Sequence, residues 1–387
     1  NLSAILTTHR CFDETVLTRI RRVDVLLAAM VSLLLTGIVF FLIPLSESNP
    51  VQQYASFAKQ PFSFMEFPYG ARMATPVIVG LLPWDIDTGF RIVAFGSFFL
   101  CGTLLILWLR LAGVSLRWGL TLLPVFYFAS TAKFIIANAW YIDPMSYWVL
   151  VMTFIGMMTG NIGITMASLA LGALNRPESL TILLPLSIAW WDRDRKLSSL
   201  ITIGYAIFPA IFLTLAMRYI WPLVSDYQIW AQLGEVNLSK DPQPYSVIFC
   251  QQCFKALLHH SIYRETLPCL WGLAAIGFIQ TTWRIRWIMI LQILLAISPM
   301  ILATDYFRLP FYVFPALILL SGLGLQALSR IHLACAGGTV AGIWLLTAAA
   351  PQSLWLGILF GTLLVFIYMV LAKTHTLPGN PDPSSIE

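Results

Sequence analysis

The residues able to do chemistry stand in three short clusters. The segment Asn138–Pro144 ends in a carboxylate set directly before a proline, Asp143-Pro144. Asn175-Arg176-Pro177-Glu178-Ser179 interrupts an apolar region, and Asp305-Tyr306-Phe307-Arg308-Leu309-Pro310 precedes another. A carboxylate can take a proton from a hydroxyl within hydrogen-bond reach, and guanidinium groups hold phosphate oxygens in a planar fork. Each cluster also has an ordinary structural explanation. Asp143 and Glu178 suit the first turn of a helix beside a proline, and Asp305 with Arg308 suits an i,i+3 ion pair. Jointly they bring acids and arginines from separate segments to one membrane face, an arrangement suited to an anionic, lipid-linked ligand.

A fourth stretch, Phe62–Pro76, is aromatic, basic and punctuated by proline, with Tyr69 and Arg72 placed to face a phosphate. Its continuation, Met73–Leu82, is apolar but too short to span a bilayer and predicts an interfacial helix. Other signals carry less. Cys250 and Cys253 would be a structural bridge or two thiols rather than a redox centre, because no thioredoxin-like pattern surrounds them. His259-His260 lacks partner ligands for a metal, and Asn237-Leu238-Ser239 is a glycosylation sequon of consequence only in a eukaryotic secretory pathway. P-loop, GxSxG and HExxH patterns are missing, which removes the usual marks of nucleotide hydrolysis, serine hydrolysis and zincin chemistry.

The elements that must position these groups are membrane helices. Of 387 residues 58% are apolar and 11% charged, too few ions to solvate a globule this long, and the mean hydropathy is +0.80. A cytosolic enzyme and a disordered regulator are excluded. The net charge of +5 is scattered, with no basic-aromatic stripe for nucleic acid. Six cysteines form no zinc or cluster spacing. Apolar stretches fall at Val23–Ile43, Thr88–Leu109, Leu120–Ala137, Pro144–Met158, Ile162–Leu174, Leu180–Trp190, Leu200–Ile220, Leu270–Trp283, Trp287–Leu302, Phe311–Leu328, Leu333–Ala349 and Leu354–Leu371. They predict an all-α polytopic fold of about twelve spans (10–13). Those from Pro144 to Trp190 are short or interrupted, so tilted, broken and re-entrant helices are all open.

Basic residues alternate between spans: Arg19, Arg21 and Arg22, then Arg110 and Arg117, then Arg193, Arg195 and Lys196, then Arg284 and Arg286, then Arg330, then Lys373. With twelve spans all share a side, which the positive-inside rule makes cytoplasmic. The expected organisation is a cytoplasmic segment 1–22, one transmembrane domain 23–372 with outer loops 44–87 and 221–268, and a cytoplasmic tail 373–387. Val23–Ile43 has no small-residue cleavage site and is expected to be a retained anchor.

In this order of features the chain resembles the polytopic GT-C glycosyltransferases, which carry a large outer loop with interfacial helices after the first span. Pro68-Tyr69-Gly70-Ala71-Arg72-Met73-Ala74-Thr75-Pro76 resembles the Tyr-x-x-Arg-x-x-x-Pro stretch of a group of bacterial membrane proteins of that type, there preceded by a segment like Tyr54-Ala55-Ser56-Phe57-Ala58. Asp143-Pro144, Arg176-Pro177-Glu178 and Asp305-x-x-Arg308 fall in similar order. The resemblance implies sugar transfer from a polyprenyl-phosphate donor to an acceptor at the outer face of a bacterial inner (plasma) membrane. It implies Glu47 or Asp143 as base, Arg72, Tyr69, Arg176 and Arg308 as phosphate ligands, and Glu178 and Asp305 in support. No cofactor is named by the sequence; a divalent cation, Mg or Mn, is the open candidate. One departure stands out. The family pattern implies an acidic residue in the first outer loop as general base or metal partner, and just before Tyr54 this chain has Pro50-Val51-Gln52-Gln53, so Glu47 upstream and Glu66 downstream are the nearest carboxylates.

Two rivals belong to other classes. A carrier or flippase for a lipid-linked anion would use helices broken at Gly160-Asn161 and Arg176-Pro177, with Lys133 as its charge at depth. A non-catalytic GT-C-like subunit of a larger membrane complex would bind lipid or protein neighbours through 14 Trp, 25 Phe and 13 Tyr.

Overall fold

The computed structural model describes residues 21–46, 52–60, 72–176, 186–187, 267–297, 308–349 and 354–375. Among them every regular element is a helix and there is no strand. In chain order these are α1 (Arg22–Leu42), α2 (Gln52–Lys59), α3 (Ala74–Leu81), α4 (Ile86–Leu111), α5 (Leu116–Phe128), α6 (Ser130–Ala137), α7 (Asp143–Thr159) and α8 (Ile162–Asn175), followed by α9 (Trp271–Gln280), α10 (Trp283–Ile297), α11 (Phe314–Ile331), α12 (Leu333–Ala349) and α13 (Leu354–His375). Helices α1, α4 and the stretch Phe311–Ile331 are long and apolar enough to cross a membrane; α5 and α6, bent by 55° at their junction, make a fourth if they are one span. The expected span Leu200–Ile220 lies outside the described residues, as does Leu180–Trp190 except for the buried, helical Leu186 and Ser187, and the others each overlap a described helix.

The distribution of side chains on α1 reverses that of a helix on a water-soluble protein. Its buried positions are Asp24, Ala28, Ser32, Thr36 and Val39, while Leu26, Met30, Leu33, Leu34 and Phe41 are exposed. A helix that turns polar groups inward and leucines outward fits an apolar solvent. Two of the inward polar groups have side-chain partners: Asp24 meets Arg110, and the Thr36 hydroxyl donates to the Tyr127 hydroxyl at 3.0 Å, which itself donates to the Phe98 carbonyl at 3.0 Å. Small residues let the backbones approach. A Cβ on Gly277 would meet the Leu320 carbonyl and one on Gly324 the Leu273 carbonyl, so α9 and α11 cross backbone to backbone at this glycine pair.

Helix α4 packs on α1, α5 and α7, and α7 pairs with α8. At one end of α4, Arg110 meets Asp24 of α1, and the Ser115 amide donates to Gln326 of α11. Arg110, Arg117 and Arg330 therefore share an end of the bundle. At the other end a small second core gathers Tyr54 and Ala58 of α2, Val79 of α3, Phe90 of α4, and Trp140 and Ile142. The expected short helix at 73–82 is α3, with Thr75, Pro76 and Val79 buried and Leu81 exposed.

The interruption at Gly160-Asn161 is a tight turn between antiparallel helices. Gly160 adopts φ +67°, a left-handed conformation that glycine takes without a Cβ penalty, and Asn161 caps α8 by accepting from the Ile164 amide at 3.1 Å. This hairpin returns Asn175 and Arg176 to the start of α7.

Candidate anion site at the start of α7

Asp143 is the first residue of α7, with Pro144 behind it. The helix start accounts for the residue types, since proline lacks the amide that would go unbonded there and an acid complements the positive end of the helix. The surroundings go further. Asp143 has no exposed surface; its Oδ1 accepts from Nη1 of Arg176, at the end of α8, and its Oδ2 accepts from Nη1 of Arg308 at 2.8 Å. Residues 33 and 165 positions apart in sequence thus meet on one carboxylate. The Arg308 guanidinium also lies 4.2 Å from the centre of the Tyr141 ring, and that of Arg176 lies 5.7 Å from the Tyr312 ring. Ring faces of this kind partly offset the loss of water around a cation.

Arg72 is brought to the same place by neutral polar groups. The Met73 amide donates to the Leu174 carbonyl at 2.8 Å. Asn175 Oδ1 accepts from the Thr75 amide and hydroxyl at 3.2 and 2.7 Å, and its Nδ2 donates to the Ile142 carbonyl and the Ser146 hydroxyl at 2.9 and 2.8 Å. The amide of one buried asparagine is saturated in joining the start of α3, the start of α7 and the end of α8. With its backbone so fixed, Arg72 donates from Nη1 to the hydroxyl of Tyr54 on α2 at 2.9 Å. Arg176 and Arg308 act on the same phenol through their charge. Burial pushes the Tyr54 hydroxyl above its ordinary range against the pull of the three arginines, so it stays a neutral phenol at neutral pH.

Four sequence-predicted residues, Arg72, Asp143, Arg176 and Arg308, come together here, whereas Glu47, Tyr69, Glu178 and Asp305 lie outside the described residues. Access differs among the arginines: the Arg308 side chain is 17% exposed against 4% for Arg176. Arg72 is half-buried. A ligand arriving from outside meets Arg308 and Arg72 first. Lys133 is half-buried over the Phe128 ring at 5.8 Å. Among the described residues no group of three or more His, Cys, Asp or Glu could hold a metal ion, and Asp143 is engaged by two arginines, so these residues do not fit Mg or Mn. Sequence reasoning assigned no role to Thr75 and Asn175, and Tyr54 entered only through the resemblance. Asn175 was visible only as a break in an apolar run.

No protein-family model matches the chain, and no curated protein matches it. Its class is defined by its own architecture, which among the described residues is all-helical, with apolar, membrane-length helices and a buried acid–arginine cluster at one end.

Proposed function

We propose that this chain is an integral membrane protein of about twelve spans that binds a polyprenyl-phosphate-linked sugar at the outer membrane face and transfers the sugar to an acceptor there. The observation that carries this reading is the meeting of Arg72, Arg176 and Arg308 around Asp143 and Tyr54. Three guanidiniums gathered at the end of helices with apolar outer surfaces suit a phosphate attached to a hydrocarbon chain. Arg110, Arg117 and Arg330 at the opposite end support cytoplasmic termini in a bacterial inner membrane.

In this reaction the acceptor hydroxyl oxygen bonds to the anomeric carbon of the sugar, and the bond from that carbon to the lipid phosphate oxygen breaks. The lipid phosphate leaves as an anion held by Arg72 and Arg308, and the acceptor proton passes to a carboxylate. Asp143 serves as the anchor of the arginines, because both of its oxygens already accept from guanidiniums and none of its surface is open. Glu47 is then the base. The test is transfer from a polyprenyl-phosphate sugar by the purified chain, with loss in Arg308→Ala and a fall of about 10²–10⁴-fold in Glu47→Gln.

A second reading, a subunit that binds the lipid phosphate without turning it over, is favoured by one observation. Where the resemblance expects an acid, α2 opens with exposed Gln52 and Gln53. It predicts phosphate binding without transfer and stoichiometric co-purification with other chains.

A further inference from the structure

Tyr54 holds the Arg72 guanidinium at the cluster, yet nothing in the reaction above uses it. Its ring and its hydroxyl do separate things. The ring is buried in the small core with Ala58, Val79, Phe90, Trp140 and Ile142, which fixes the position of α2. The hydroxyl accepts from Arg72 at 2.9 Å, and the charges of Arg176 and Arg308 also act on it. The Arg72 main chain is held by the Met73–Leu174 and Thr75–Asn175 bonds, so the phenol oxygen is a second clamp, at the far end of a long side chain. An arginine clamped at both ends surrenders less conformational freedom when it closes on a phosphate than one tethered at its backbone alone.

We infer that Tyr54 is a positioning residue for the anion site, its hydroxyl aiming the Arg72 guanidinium at a phosphate that Arg72 shares with Arg308. This deepens the reading of the cluster as a phosphate site and rests on it. The shared chemistry is a phosphate monoester or free phosphate, and the two sources are separated by experiment.

Tyr54→Phe removes the hydroxyl and keeps the ring, so the small core stays filled. The full chain in phosphatidylcholine nanodiscs is titrated with inorganic phosphate in one arm, and in the other the nanodiscs contain polyprenyl monophosphate. In whichever arm the unaltered chain binds, Tyr54→Phe is expected to weaken binding about tenfold, the size of one hydrogen bond to a charged group. Arg72→Lys should weaken it too, and the double variant should bind no more weakly than Arg72→Lys alone, because the hydroxyl acts through the arginine. A role in packing alone would leave the affinity of Tyr54→Phe unchanged or make the two losses additive, and either result overturns the inference while the phosphate site stands. Absence of binding to the unaltered chain in both arms overturns the inference together with the reading beneath it.

Discussion

Two acid–arginine contacts mark the two ends of α4, and they are built differently. At one end Asp24 meets Arg110 at 3.1 Å, with 10% and 22% of the side chains exposed, and Arg110 also donates to the Val114 carbonyl. That contact clasps α1 to α4. At the other end Asp143, with no exposed surface, holds Arg176 and Arg308, and Arg72 stands beside them on Tyr54. Two guanidiniums meet on that one carboxylate. The contrast teaches what burial and convergence add to the same chemistry: an acid–arginine contact at one end fastens two helices, whereas a fully buried acid joins arginines from two distant segments, the arrangement on which the proposed phosphate site rests.

The comparison is broken most readily at the two acids. Asp143→Asn leaves two guanidiniums at the cluster without their shared charge, and losing one partner of a buried pair costs about 3–5 kcal/mol, so thermal unfolding in detergent should come much earlier or the variant should fail to accumulate. Asp24→Asn, which breaks a single contact whose arginine side chain is 22% exposed, should cost less. Equal losses would mean that the two contacts do the same job. Next in size is ligand affinity. Arg308→Ala should weaken binding of polyprenyl phosphate by about 10–100-fold, in line with the roughly 1.5–3 kcal/mol of a hydrogen bond to a charged group, while Arg110→Ala leaves it unchanged. Binding measured side by side on the two variants sharpens the distinction between clasp and site.

Asn175→Ala comes third. It strands the Thr75 amide and the Ile142 carbonyl and leaves the Thr75 hydroxyl only the Met145 sulfur, so it should destabilise by about 1–3 kcal/mol and, by releasing the chain around Arg72, lower phosphate affinity as well. A stability loss with affinity intact would show that the asparagine is scaffold alone. The smallest effect concerns Asp85, which caps α4 at the same end as the cluster by accepting from the Thr88 amide at 2.9 Å. Hydrogen bonding from Thr88, its side chain first and its amide second, holds the carboxyl below the ordinary range. A carboxylate lowered on folding adds stability above the unfolded value of about 3.9 and loses it as pH falls through its folded value. Asp85→Ala should therefore differ from the unaltered chain at neutral pH and converge with it in strong acid, as followed by unfolding temperature.

What the sequence disclosed of this site follows from cost. Ionisable residues in an apolar chain are conspicuous, so Asp143, Arg176 and Arg308 could be picked out and expected at one face, and the structure puts them in contact. Neutral polar residues carry no such signal. Thr75 and Asn175 look like any other break in hydropathy, although their hydrogen bonds bring Arg72 to the cluster. Periodicity located the helices but left their ends open: Gly160-Asn161 could be a broken helix or a turn, and only the capping geometry and the return of Arg176 to Asp143 decide for the turn. The bend of 55° between α5 and α6 had no counterpart in the apolar run that spans both.

The central claim is that the end of α4 nearest Asp143 holds a phosphate and the opposite end does not. A cryo-electron microscopy map of the chain purified with its native lipids tests it directly. The account predicts phosphate density within about 3 Å of the Arg72 and Arg308 guanidiniums, continuous with a lipid chain, and none at Arg110. Guanidiniums of Arg72 and Arg308 closed entirely on protein carboxylates, with lipid phosphate density elsewhere, would contradict it.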